Sequence, residues 1–165
     1  MTPRPSNISI ASKKDENEIF DLLCLLHKEN AMAEMDEEKV WDKIKTTLHR
    51  PENIKNGVIG VIKNEGKIEA ISALIPSQWW YSQRWFLEDI CNFVHPSFRR
   101  SNHAKDLLNF DKWCSEQLGM PLLIGILSTI RTEPKVRLFS RQLQPVGALF
   151  IYDPNKETPL NKEIT

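Results

Sequence analysis

The stretch "WFLEDICNFVHPSFRRSNHAKDLL", Trp85 to Leu108, changes character halfway along. Trp85 to Val94 is rich in β-formers and is interrupted by the acidic pair Glu88 and Asp89. Pro96 closes the extended run, Arg99 and Arg100 follow, and from Asn102 the spacing becomes helical, with Ala104, Leu107, Leu108, Cys114 and Leu118 apolar. A strand, a polar turn and a new helix can hold an anion. The first turn of a helix carries unpaired N–H groups and the positive end of its dipole. Arg99 or Arg100 adds a charge-assisted contact. Such units are also common as plain polar turns. Within the strand, alternation places Glu88, Ile90, Asn92 and Val94 on one face and Asp89 on the other.

The flanking sequence supplies the rest of a sheet. Upstream, "NISIA" (Asn7 to Ala11) is a short strand. Ile19, Leu22, Leu23 and Leu26 mark one face of a helix that Ser12 or Asp15 can cap. Val40, Ile44 and Leu48 mark a second helix that ends before Pro51. "GVIGVI" (Gly57 to Ile62) and "IEAISALI" (Ile68 to Ile75) flank "KNEG", which predicts a hairpin. Downstream, the unbroken apolar run "PLLIGILS" (Pro121 to Ser128) reads as a strand buried on both faces. "TEPKVRLFSRQL" reads as a helix begun by Thr132, with Pro134 in its first turn. "VGALFIY" (Val146 to Tyr152) reads as a last strand, and residues 153–165 as a polar tail. The order β–αα–ββ–β–α–β–α–β predicts one α+β domain over residues 1–165, with a sheet covered by helices on both faces.

Composition narrows the function classes. The chain has 165 residues, 41% hydrophobic and 27% charged, which suits one folded domain. Lys plus Arg and Asp plus Glu are 22 each, so a broad nucleic-acid or membrane-surface role is not expected. There is no apolar run of the ~20 residues that span a bilayer. Nor is there a signal-peptide core at the start, which predicts a cytoplasmic protein. Cys24, Cys91 and Cys114 lie far apart, without zinc or redox spacing, and read as free thiols. No histidine pair has metal-ligand spacing and no G-x-S-x-G motif occurs, so neither a metal site nor a hydrolase triad is predicted.

The element order together with "FVHPSFRRSNHAKDLL" resembles the GNAT superfamily of acyl-CoA-dependent N-acyltransferases, over about Asn7 to Tyr152. The small members encoded by some bacteriophages look especially similar. The family's pyrophosphate loop reads Arg/Gln-x-x-Gly-x-Gly/Ala after a strand ending Val-x-Pro. Val94, Pro96, Arg99 and Ala104 match, while Asn102 stands where glycine is usual. Asn is among the few residues that tolerate φ > 0, so it can keep such a turn. The resemblance implies a mixed, mostly antiparallel sheet of about six strands, and acetyl-CoA as cosubstrate with no metal. It implies cofactor contacts from Asn92, Phe93, Val94, Arg99, Arg100, Ser101, Asn102, His103, Ala104 and Phe139.

Further roles follow from the same resemblance. Glu88, eleven positions before Arg99, falls where the family places its general base. A base is needed because an ammonium with a pKa of about 10.4 cannot attack a thioester. The backbone N–H near Asn92 would bind the thioester carbonyl, and groups at Phe93 and Val94 the pantetheine arm. Many members protonate the leaving thiolate with a tyrosine where this chain has Phe139. Tyr152 is the only tyrosine downstream, so Tyr152, water, or no acid at all would serve. The acceptor is an amine on a small molecule or protein, bordered by the acidic segment Glu29, Glu34, Asp36, Glu37 and Glu38, which reads equally as a solvated helix start. Trp79, Trp80, Tyr81, Trp85 and Phe86 either cover the core or anchor a partner. A homodimer through this hairpin or through the sheet edge is one form of the latter. Two functions stand against each other: an acetyl transferase, and a GNAT-fold binding module with weak or no catalysis.

Overall fold

The computed structural model describes residues 1–30, 33–49, 53–127 and 132–149. In chain order the elements are β1 (Ile8–Ile10), α1 (Glu16–Asn30), α2 (Glu37–His49), β2 (Val58–Asn64), β3 (Lys67–Gln78), β4 (Trp85–Val94), α3 (His103–Leu118), β5 (Leu122–Leu123) and α4 (Thr132–Ser140). The sheet order is β1-β2-β3-β4-β5. The first four strands pair antiparallel, and β5 runs parallel to β4.

Local chemistry sets the turns. Glu65 and Gly66 join β2 to β3 with φ of 49° and 82°, as a two-residue hairpin turn requires. In the 3-10 turn Lys13–Asp15 that leads into α1, the Ser12 N–H donates to Asp15 Oδ2 at 2.8 Å, closing a capping box. Gly60 of β2 has no side chain because the Phe110 ring occupies that space: a Cβ there would lie 2.4 Å from a ring carbon.

The sheet is covered on both faces, as its sequence pattern predicts. On one face Ile19 and Leu22 of α1 and Ile44 and Leu48 of α2 pack on Ile59, Val61, Ile71, Ala73, Cys91 and Phe93. On the other, Leu107, Phe110 and Cys114 of α3 pack on Ile8, Ile62, Ala70, Leu74 and Leu87.

Three expectations need correction. First, the described residues form five strands, not about six. The run beginning at Pro121 pairs only through Leu122 and Leu123, beyond which 124–127 leave the ladder and Leu127 is 59% exposed. An unbroken apolar run does not by itself dictate a buried strand. Second, Val146 to Leu149 are exposed and outside any strand, while the remainder of that predicted strand, 150–152, lies outside the described residues, as does the tail.

Third, β4 does not alternate without interruption. Ala73 faces Cys91 but Leu74 faces Asp89, so Ile90 is an extra residue, a β-bulge. The bulge turns the strand over. Asp89, opposite Leu74, shares the α3 face with Asn92 and Val94. Glu88, opposite Ile75, shares the α1/α2 face with Cys91 and Phe93. Glu88 and Asn92 therefore lie on opposite faces, not on one.

Candidate active site

The candidate site lies where β5 parts from β4. Leu87 N–H donates to Pro121 O at 2.7 Å, and Glu88 opposite Leu123 is the last rung. Just past the end of β4, His95 N–H donates to Glu69 O of β3 at 2.9 Å. Backbone groups point to alternate sides of a strand. Those of Asn92 and Val94 are thus directed away from β3, toward the edge that β5 has left. Val94 O accepts there from Arg99 Nε at 3.3 Å.

Beyond β4 the chain makes a single 3-10 turn, Pro96–Phe98, with His95 Nδ1 accepting from Ser97 N–H at 3.2 Å. The turn into α3 is tightly bonded. Ser101 Oγ donates to Phe98 O at 2.6 Å and accepts from His103 N–H at 3.2 Å. Asn102 O accepts from the N–H groups of Lys105 and Asp106, each at 3.0 Å. Asn102 itself has φ −85° and ψ 4°, so this turn uses no left-handed conformation, contrary to the expectation drawn from the glycine it replaces. A Cβ costs the backbone nothing here.

Two of the predicted phosphate contacts are tied into the scaffold. The Arg99 guanidinium pairs with Glu29 at the end of α1 and lies 5.5 Å from the Phe93 ring centre. His103 Nε2 meets Glu69 Oε2 at 2.6 Å, both side chains largely buried. Arg100 is exposed and makes no ion pair among the described residues, and Ala104 is half-buried in the first turn of α3.

Glu88 is half-buried, and its Oε2 accepts from Ser77 Oγ of β3 at 2.8 Å. On the same face lies a cavity of about 300 Å³ between α1, α2 and the sheet, with Ile75, Ile90 and Cys91 in its wall. A wider depression of about 480 Å³, lined by Glu16, Glu38, Trp41 and Asp42 among others, includes no residue of β4.

On the α3 face sits a buried polar network that the sequence reading missed. Asp111 of α3 is fully buried; it accepts from Ser72 Oγ of β3 and from Asn92 Nδ2 of β4 at 3.0 Å. Burial, with the nearby Asp89 charge, pushes its carboxyl up to about 8. Asp89 accepts from Cys91 N–H at 3.0 Å across the bulge. Burial pushes it up to about 7, Glu88 adds to the rise, and Lys135 of α4 counters it. The signal for Asp111 was available: it falls on the apolar stripe of α3, between Leu107 and Cys114. Phe139 lies one turn beyond Lys135, half-buried, its carbonyl accepting from Gln142 and Leu143 N–H at 3.0 and 2.8 Å. Tyr152 lies outside the described residues. No described helix is long and apolar enough to cross a membrane.

The fold as a whole has counterparts among solved structures. A predicted acetyltransferase from Clostridium acetobutylicum, solved with acetyl-CoA, superposes with a TM-score of 0.70 at 13% identity, covering 89% of this chain and 95% of that one. A possible acetyltransferase from Clostridium difficile 630 gives 0.67 at 18% identity, covering 88% and 95%. An aminoglycoside acetyltransferase from an uncultured soil metagenomic sample gives 0.64 at 15%, covering 90% and 95%. The chain shares the α+β fold of these acetyltransferases. No protein-family model matches it, and no curated protein matches it in sequence.

Proposed function

We propose that the protein is an N-acyltransferase that moves an acetyl group from acetyl-CoA to an amine by direct attack. The observation that carries this reading is the opening of the sheet just past Glu88. There the main-chain groups of Asn92 and Val94 face an edge with no strand partner among the described residues. Such an edge suits an extended, amide-bearing arm, which would pair with β4 as an added strand.

In this scheme Glu88 takes a proton from the acceptor ammonium, directly or through water. The C–N bond forms as the C–S bond breaks, Asn92 N–H stabilises the oxygen on which charge develops, and the nitrogen's second proton passes through solvent to the departing thiolate. Val94 pairs with the arm. Ala104 N–H, with Arg100, holds the diphosphate at the start of α3, while Arg99 fixes the turn by gripping Glu29. Phe139 has no proton for the departing thiolate. A thiol with an ordinary pKa of about 8.5 leaves tolerably near neutral pH without one. The Lys135 ammonium, close enough to Asp89 to be felt there, adds positive charge at that end of the opening.

The second reading, a binding module on the same fold, is favoured by Phe139 and by the commitment of Arg99 to Glu29. Calorimetric titration with acetyl-CoA separates the two, followed by turnover measurements on Glu88→Gln. The transferase reading predicts binding by both proteins and a large loss of turnover in the variant. Absence of binding to the wild type would sink it. Binding with unchanged turnover in Glu88→Gln would remove Glu88 as the base.

A further inference from the structure

If the chain is an N-acyltransferase with Glu88 as base, the cavity on Glu88's face of the sheet, walled by its cross-strand partner Ile75, receives the acceptor, and its lining specifies what that acceptor is. We propose that it takes an amine whose apolar body ends in an anionic group.

Glu88 pairs with Ile75 across β3 and β4, so both side chains project from the same face, and Ile75 lines the cavity. Ile90, the bulge residue, lines it too and is 47% exposed. The bulge thus presents a large apolar side chain at the cavity wall, two residues along β4 from the base, where an apolar occupant would cover it.

The lining is almost wholly apolar. Leu26, Val40 and Ile44 close the cavity from the helices, over Ile71 on the sheet. This is no surface for a polyhydroxylated or polycationic acceptor. At about 300 Å³ it lies at the small end of ligand pockets, suited to a short alkyl chain or one ring.

The charges are of one sign. Lys39 and Lys43 are the charged residues of the lining. They lie one turn apart on α2, where like charges disfavour a helix, and neither makes an ion pair among the described residues. The acidic residues Glu38 and Asp42 of the same helix line the separate, wider depression instead. Asp36, from the acidic segment considered as an amine attractor, accepts from Lys39 N–H at 3.0 Å, capping α2. Lysine stems lie along apolar walls while their ammonium heads stay near water. The cavity is therefore apolar along its length and positive at a rim, a match for a carboxylate, phosphate or sulfate at the far end of the acceptor.

The test uses three amines of similar length that differ at one end: 6-aminohexanoate, hexylamine and cadaverine. Each is titrated into the full chain at low salt without acetyl-CoA, following the Ile75 and Ile90 methyl resonances by NMR. The expected order is 6-aminohexanoate about fivefold tighter than hexylamine, and cadaverine weakest, from an attraction of solvent-exposed size. In the Lys39→Gln/Lys43→Gln double variant, 6-aminohexanoate should fall to the level of hexylamine, with hexylamine unchanged. Tightest binding by cadaverine, an order unaffected by the double variant, or silent Ile75 and Ile90 methyls would each overturn the proposal. Because acetyl-CoA is absent, failure here is distinct from failure of the transferase reading, which acetyl-CoA titration decides.

Discussion

Replacing Asp111 with Asn probes the buried network beneath β4. Asp111 is fully buried, and its carboxyl is pushed up to about 8 by burial and by the Asp89 charge. An unfolded-chain aspartate titrates at about 3.9. Between these values the folded chain holds a proton that the unfolded chain has released. Stability conferred by this group is therefore fully present below about pH 4 and is lost as pH rises through about 8. The loss is about 1.4 kcal/mol per pH unit for each such group. Asp89, raised to about 7, adds a second proton over a slightly shorter window, so the wild-type slope approaches about 2.7 kcal/mol per unit between pH 4 and 7. Asp15, held below its usual value because its Lys63 and Ser12 bonds outweigh burial, acts with the opposite sign, but only below about pH 4. In Asp111→Asn the slope should fall by about half. At pH 5 the variant replaces a neutral acid by a neutral amide, and the Asn92 amide can turn over to accept from it. The cost there is about 1 kcal/mol. By pH 8.5 the variant should be the more stable protein. Urea unfolding at half-unit steps from pH 4.5 to 8.5 reads this directly, with m checked for constancy. A wild-type stability that is flat or rising over that range, or a variant curve parallel to the wild type, would refute the reasoning.

Gly60→Ala places a methyl 2.4 Å from the Phe110 ring and should cost about 3 kcal/mol in urea unfolding; Phe110→Leu in the same chain should recover part of it. Arg99→Ala leaves Glu29 largely buried without this ion-pair partner and should lower stability by about 2 kcal/mol. Arg100→Ala, at an exposed position, should leave the melting temperature unchanged yet weaken acetyl-CoA binding by calorimetry.

Local patterns in the chain foretold much of this fold. β4 runs from Trp85 to Val94 as the β-rich stretch predicts, and the apolar spacing after Asn102 places α3. The pair Glu65–Gly66 makes the hairpin turn that "KNEG" announces. What was not legible depends on partners distant in sequence. The bulge at Ile90 arises from the register of β4 on β3, and no feature of "LEDICN" alone reveals it. That one extra residue moved Asn92 and Glu88 to opposite faces and put Asp89 beside the Asp111 network. Similarly, "LLIGIL" is apolar enough for a full strand, but two rungs suffice before β5 diverges. The Arg99–Glu29 pair joins residues 70 positions apart, so a motif match at Arg99 could not show that its guanidinium is already engaged.

In the proposed function the opened edge of β4 and the first turn of α3 receive acetyl-CoA. Residue-resolved amide hydrogen exchange, with and without saturating acetyl-CoA, tests it most directly. Slower exchange is expected at the Asn92, Val94 and Ala104 amides, while the His95 amide, already bonded to Glu69 O, stays as it was. Unchanged exchange at those three amides under conditions where acetyl-CoA is bound would contradict it.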